Sequence, residues 1–220
     1  WFDDHVKMHG QKPNHKRIEW AGKNKSDIWE QMIPHIDHIE QIYFAGGEPL
    51  IMQEHYNILK ELVRRERFDV KLIYNTNFNE TLYKDLDVLD YWGMFESVSI
   101  GASLDASGSR AELMRSGCNW NKIVHNRERM LEKCPEVDFY ISPTVSLMNV
   151  LHVPDFHRAW VECGLLKAQD LNVNILQSPD WYRADCLPKE LKAQATQKLE
   201  EHIAWLEPQD HLQRATNGFR

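Results

Sequence analysis

With 220 residues, 42% of them hydrophobic and 27% charged, the chain has a globular composition and enough length for one sizeable core, so one domain is the default expectation. A net charge of −7 argues against a general nucleic-acid-binding surface, which needs clustered positive charge. No stretch reaches the roughly 18 apolar residues required of a membrane-spanning helix.

The chain opens on Trp1-Phe2, with no initiator methionine and no secretory leader, and reads as a piece of a longer protein. Residues 1–25 are polar, with His5, His9 and His15 among lysines, and read as a solvated loop, since nothing nearby completes a metal ligand set. Ser26 can cap a helix over Asp27–Ile39 that brings Ile28, Trp29, Met32, Ile33, Ile36 and Ile39 near one side; Pro34 predicts a kink or a late start. A strand over Ile42–Ala45 stops at Gly46-Gly47-Glu48-Pro49, and Leu50–Arg67 then reads as helix, with Tyr56, Leu59, Leu62 and Val63 at three-to-four spacing. A second strand, Val70–Tyr74, ends in Asn75-Thr76-Asn77, and Glu80–Tyr91 reads as helix. A third strand, Ser97–Ile100, ends in Gly101-Ala102-Ser103-Leu104-Asp105, followed by a helix over Asn121–Lys133. A fourth, Val137–Val145, runs out to Ser146 and Asn149; the helix Pro154–Cys163 stops at Gly164. A fifth, Leu171–Leu176, leads into Gln177-Ser178-Pro179, and the helix Lys189–Leu206 comes last, with 207–220 beginning a C-terminal extension.

Strands alternating with helices predict an α/β fold with a parallel sheet and helical crossovers. No dinucleotide-type Gly-x-Gly-x-x-Gly and no phosphate loop follows any strand. Cys118, Cys134, Cys163 and Cys186 are spread singly and read as reduced thiols of a cytoplasmic protein.

A barrel or partial barrel gathers its chemistry at the C-terminal ends of its strands. Those ends here carry Gly46-Gly47-Glu48, Asn75-Thr76-Asn77, Ser103 with Asp105, Ser146 with Asn149, and Gln177-Ser178. Asn, Asp, Ser and Thr also favour turns for their own backbone reasons, so one such exit alone reads better as turn chemistry; five in succession read as a shared ligand site. Two glycines remove the Cβ atoms that would hold a ligand away and permit positive φ. Pro49 suits the start of a helix, and Glu48 sits where the helix dipole favours negative charge, so a tight turn with a capping Glu is the plain reading of that stretch.

Gly46-Gly47-Glu48-Pro49 directly after a strand resembles the GGEP motif of radical S-adenosylmethionine (SAM) enzymes. Asn75-Thr76-Asn77 is similar to the Thr-Asn-Gly exit of that family's third strand, with Phe78 where glycine is usual, and Ser103-Leu104-Asp105-Ala106 to its fourth-strand Ser-Leu-Asp-Gly. Glu112 to Gly117, followed by Trp120 and Ile123, resembles its Arg-Gly segment. The resemblance runs from Ile39 to Leu206 and is closest to the SPASM and twitch branch, whose members often modify peptides. It implies a partial (β/α)6 TIM-like barrel over 26–206 whose first strand is missing from the chain. It further implies a SAM site in which the Gly46 and Gly47 backbone and Glu48 meet the amino group, with Pro49, Thr76 and Asn77 beside them. Ser103 would contact the carboxylate and Arg115 neutralise it, Asp105 would be a ligand or a turn residue, and Asn149 and Gln177 would face the nucleoside. Arg115 on its own reads more simply as a surface charge.

The implied chemistry needs a [4Fe–4S] cluster with one iron open to SAM. One electron, from a donor such as flavodoxin or ferredoxin, cleaves the sulfonium bond, and the 5′-deoxyadenosyl radical abstracts hydrogen from a small-molecule or peptide substrate. The family's Cys-x3-Cys-x2-Cys loop has no counterpart, because no cysteine precedes Cys118. The cluster ligands are therefore expected outside this chain, and the chain alone is expected to be inactive. Two readings compete: a cluster-less SAM-like ligand binder or scaffold with the same barrel, and an unrelated barrel enzyme using Glu48 as acid or base.

Overall fold

The computed structural model describes residues 28–210 and 213–219; the expected polar loop over 1–25 and the Ser26 cap lie outside them. The chain divides into two compact units, Trp1–Ile39 and Glu40–Arg220. In the first, α1 (Ile28–Met32) gives way to a 3-10 turn over Ile33–His38. Pro34 offers no N–H to the α-helical ladder and disfavours the α conformation in the residue before it, which is the physical form of the predicted break.

In the second unit, β1 (Gln41–Phe44) leads through the two glycines into a 3-10 turn, Pro49–Ile51, and α2 (Gln53–Arg64). β2 (Lys71–Thr76) follows. The helix expected over Glu80–Tyr91 is not there: the chain forms a hairpin of β3 (Leu82–Tyr83) and β4 (Leu86–Asp87), and only then a short α3 (Val88–Trp92). Lys84 takes φ +57 to make the turn, Tyr83 stacks on Tyr56 at 5.3 Å, and Asp87 caps α3 by accepting from the Leu89 amide at 3.1 Å. Local capping and aromatic packing thus override the helical spacing of the segment.

The chain continues through β5 (Val98–Ala102), α4 (Gly108–Met114), α5 (Trp120–Lys133), β6 (Asp138–Ile141), β7 (Thr144–Val145), α6 (Val153–Glu162), β8 (Asn174–Ile175), α7 (Lys189–Leu206) and α8 (Arg214–Phe219). Helices α4 and α8 are additions to the sequence expectation. In α4 the one buried residue is Ala111, so it has no apolar period to read. The expected fourth strand breaks at Ser142-Pro143, where proline cannot donate to the ladder, and the fifth shrinks to an Ile141–Leu171 bridge and the β7–β8 pair.

Among the described residues β1, β2, β5 and β6 form one parallel sheet in that order. Strand alternation sends Phe44, Leu72, Tyr74, Ile100, Phe139 and Ile141 into the core. There Tyr74 meets Trp92 of α3 at 5.2 Å, and Phe44 meets His55 of α2 at 4.8 Å. The alternate residues, Tyr43, Ile73, Asn75 and Tyr140, line a hollow on the opposite face of the sheet. At the C-terminal side, His157 Nδ1 of α6 and His202 Nε2 of α7 lie 3.0 Å apart, with Trp205 and Phe219 against the rings. The architecture is the open α/β partial barrel expected from the sequence.

Candidate functional site

Gly46 and Gly47 take φ +81 and +55, left-handed conformations that glycine adopts without steric cost. An ideal Cβ built on either meets nothing within 4 Å. The sequence demand here is therefore a backbone demand, and the space beside it is open. Pro49 is buried as the first residue of the 3-10 turn, and Glu48 caps that turn, its Oε1 accepting from the Leu50 amide at 3.3 Å. The same carboxylate reaches the end of β2: Thr76 Oγ1 donates to Oε1 at 2.6 Å and the Asn77 amide to Oε2 at 2.7 Å. Glu48 thus staples the first two strand exits together, with three donors on a group that has about four acceptor sites.

Thr76 is buried, and its hydroxyl also accepts from the Phe78 amide at 2.9 Å. Phe78 takes φ +57. The place where the resembling motif carries glycine is a left-handed turn, and here a phenylalanine fills it, its fully buried ring 5.0 Å from Phe139. Asn126 of α5 holds this turn from below. Its Nδ2 donates to the carbonyls of Phe78 and Asn79, each at 3.2 Å, and its Oδ1 accepts from Thr81 Oγ1 at 3.0 Å. Asn77 Oδ1 accepts from the Asn79 amide at 2.8 Å, and Asn79 Oδ1 from the Asn119 amide at 2.7 Å. Asn126 and Asn79 are absent from the sequence reading. The signal that could find Asn126 is its place with Ile123, Arg127 and Met130 on the buried face of α5.

The Ser103 amide donates to the Thr76 carbonyl at 2.8 Å, joining the third exit to the second. Its side chain is half-buried and has no partner among the described residues. Two residues on, buried Asp105 accepts from Arg115 Nε at 2.7 Å and from the Thr144 amide at 2.8 Å. Arg115 therefore arrives already paired. Asn149 is buried with its amide engaged: Nδ2 donates to the carbonyls of Asp105 at 2.8 Å and Thr144 at 3.1 Å, and Oδ1 accepts from the Ser146 amide at 2.7 Å. Those bonds join loops and leave no donor for a nucleoside. Gln177 is exposed and stands apart from this network, its one side-chain bond being a 3.4 Å contact to the Ile175 carbonyl.

Beside the rim lies a cavity of about 110 Å³, lined by Asn77, Asn79, Leu104, Asp105, Arg115 and Cys118 among others. Burial, and then Glu112, push the Cys118 thiol above its ordinary value, which keeps it protonated at neutral pH. Nearby, Ser107 and His152 touch, but the imidazole Nε2 accepts from the Ser107 amide at 3.1 Å as well as facing its hydroxyl at 3.0 Å, which suits a tether better than a general base. Among the described residues no three His, Cys, Asp or Glu side chains gather as a metal site, and the four cysteines are unpaired.

No protein-family model matches the chain, and no curated protein matches it. Solved structures do resemble it. The structure of anSMEcpe with bound AdoMet (S-adenosylmethionine) has a TM-score of 0.58 at 18% identity, covering 86% of this chain and 53% of that one. The structure of anSMEcpe with bound AdoMet and Cp18Cys peptide gives 0.52 at 16% identity, over 75% of this chain and 46% of that one. Streptococcus suis SuiB bound to S-adenosylmethionine gives 0.52 at 14% identity, over 81% and 39%. At these identities the likeness is one of fold, and the chain spans about half the length of the first of these proteins.

Proposed function

We propose that this chain is the S-adenosylmethionine-binding partial barrel of a radical SAM enzyme that modifies a peptide. The observation that carries the reading is the hydrogen-bonded rim. Glu48, Thr76, Asn77 and Ser103, from the ends of β1, β2 and β5, are tied to one another beside two left-handed glycines whose Cβ positions are open. The residues suit a methionine moiety. Main-chain groups of Gly46 and Gly47, with the remaining acceptor capacity of Glu48, meet an ammonium; the unpartnered Ser103 hydroxyl donates to a carboxylate. Pro49, Thr76 and Asn77 hold those groups in place. Asp105 fixes Arg115 at the edge of the neighbouring cavity, and Asn149 acts indirectly by locking Asp105 to β7. Two structural neighbours that hold AdoMet also hold a peptide, which favours a peptide as the substrate here.

When bound, S-adenosylmethionine supplies hydrogen-atom abstraction after one-electron cleavage of its sulfonium bond. The protein's own part is to grip the amino acid end and keep water from the reacting face. The donor set does not fit a [4Fe–4S] cluster, since three clustered thiolates are needed and the cysteines stand apart. Its ligands would have to come from outside this chain, and so would the one-electron donor. That mismatch favours a second reading, a cluster-less S-adenosylmethionine binder on the same scaffold. One experiment tests both: calorimetric titration of the chain with S-adenosylmethionine, before and after anaerobic iron–sulfide treatment. Saturable binding in both states, with no stoichiometric cluster formed, is expected. Absence of binding overturns the assignment, and a stoichiometric cluster overturns the view that its ligands lie elsewhere.

A further inference from the structure

We propose that the segment from Gly108 to Gly117, which is α4 and the turn after it, is a gate that swings on its two glycines to admit S-adenosylmethionine to the rim and then closes; this rests on the reading of the chain as an S-adenosylmethionine-binding barrel. The segment supplies one wall of the cavity beside the rim, through Ala111, Arg115 and Gly117, while Asn77 and Asp105 belong to its other walls. At about 110 Å³ the cavity is too small to enclose a cofactor, since sites that do so run to about 300–1,000 Å³. A wall has to move before a ligand can pass, and this one is lightly held.

Ala111 is the one buried residue of α4, so little apolar surface binds the helix to the rest of the protein. Leu113 on the same helix is 76% exposed. The ties are polar. Arg110 Nη1 donates to the Met148 carbonyl at 2.7 Å and the Trp120 amide to Glu112 Oε1 at 3.0 Å, both at the surface, and Arg115 Nε donates to Asp105 at 2.7 Å. Exposed bonds of this kind contribute little net stability, and elements with few buried contacts are where local opening begins. Gly108 and Gly117 take φ +58 and +81, yet an ideal Cβ on either meets nothing within 4 Å. Neither glycine serves close packing; each lets the backbone leave the left-handed region and return without a side-chain penalty. Outside the two glycines the chain is fixed. Ser107 meets His152 through both its amide and its hydroxyl. Asn119 caps α5 by accepting from the Lys122 amide at 3.0 Å, and Trp120 packs on Phe156 and Trp160 at 5.5 and 5.4 Å. Two fixed posts, two permissive joints and a loosely tied span between them make a flap, closed in this structure.

The test measures S-adenosylmethionine association and dissociation rates on the immobilised whole chain by surface plasmon resonance, beside hydrogen exchange read by mass spectrometry. Gly117→Ala penalises the closed conformer equally in the free and the bound chain. Both rates are therefore expected to rise together by about 5–30-fold, with Kd held within about twofold. Arg110→Ala leaves the backbone alone and removes one tie, so both rates should rise together by at least about twofold. In the unaltered chain without ligand, the amides of 109–117 should exchange at least about tenfold faster than those of α5, and slow when S-adenosylmethionine is bound. Rates that do not rise together in either variant, or exchange over 109–117 as slow as in α5, overturn the gate and leave the cofactor assignment standing. Absence of binding in the unaltered chain removes that assignment, and the gate with it.

Discussion

At the scale of single residues, the glycines separate backbone strain from ligand space. Gly47 and Gly164 have φ +55 and +74, and a Cβ on either would meet nothing within 4 Å. Valine at either position suffers the same left-handed penalty, about 1–2 kcal/mol. Only at Gly47 does the added side chain enter the space assigned to S-adenosylmethionine. Gly47→Val is therefore expected to weaken cofactor binding by at least about tenfold, while Gly164→Val lowers the melting temperature to a similar extent and leaves the affinity alone. Calorimetric titration beside thermal unfolding of both variants decides it. Equal affinities in the two would mean that the Gly46-Gly47 stretch is a turn and nothing more. Glu48 carries the complementary lesson: a carboxylate with three internal donors is first a staple between strand exits and acts on a ligand through what remains.

At the scale of elements, the turn after β2 depends on α5. Phe78 sits at φ +57 without being glycine, a conformation that persists only where its surroundings determine it. Asn126 supplies two of those determinants through its bonds to the Phe78 and Asn79 carbonyls. Asn126→Leu leaves the buried Phe78 carbonyl and the part-buried Asn79 carbonyl short of a donor, a loss of about 1–3 kcal/mol, and frees the turn that presents the Asn77 amide to Glu48. Faster hydrogen exchange at the Asn77 and Asn79 amides and weaker S-adenosylmethionine binding are expected together; unchanged exchange at those amides would assign the stability to ring packing of Phe78 alone. The sequence shows little of this, because a polar residue on a helix reads as surface until the helix is placed. What was legible followed periodicity and chain breaks: the strand at Ile42, the apolar stripe of α2, and the exits rich in Gly, Asn, Thr and Ser. What was not legible was decided by partners distant in sequence. The hairpin at Leu82 to Asp87 depends on Tyr56, and on Arg129 and Lys133 of α5 pairing with Asp87. Asn149 at a strand exit looks the same in sequence whether it binds a ligand or, as here, two carbonyls.

At the scale of the molecule, three imidazoles among the described residues are buried where they must stay neutral. Burial holds His55 down at about 3, with Nε2 2.9 Å from Tyr74 OH beneath the sheet. The His157–His202 pair, which joins α6 to the C-terminal helices, is held well below the ordinary value by burial, with His202 lowering His157 further and Arg158 and Lys198 lowering His202. Between the unfolded value near 6.5 and these lowered values, the unfolded chain binds protons that the folded chain refuses. Stability therefore falls as pH falls through that window and is fully present above it. For a group like His55 the loss from pH 7 to pH 5 is about 2 kcal/mol. Carboxylates act lower: the arginine partners Arg64 and Arg65 hold Glu61 down at about 2, so its stabilisation is present above the usual carboxylate range and lost only as pH drops below it. From pH 7 to pH 5 the histidines therefore set the slope, opposed by Asp170, whose carboxyl is raised by burial and so favours the folded chain as pH falls. Urea midpoints should decline steadily across that interval, and His202→Gln should flatten the slope even though it lowers the midpoint itself. A midpoint indifferent to pH over that interval would mean that the imidazoles are reached by water, and that α7 and α8 do not close on α6 in solution as they do here.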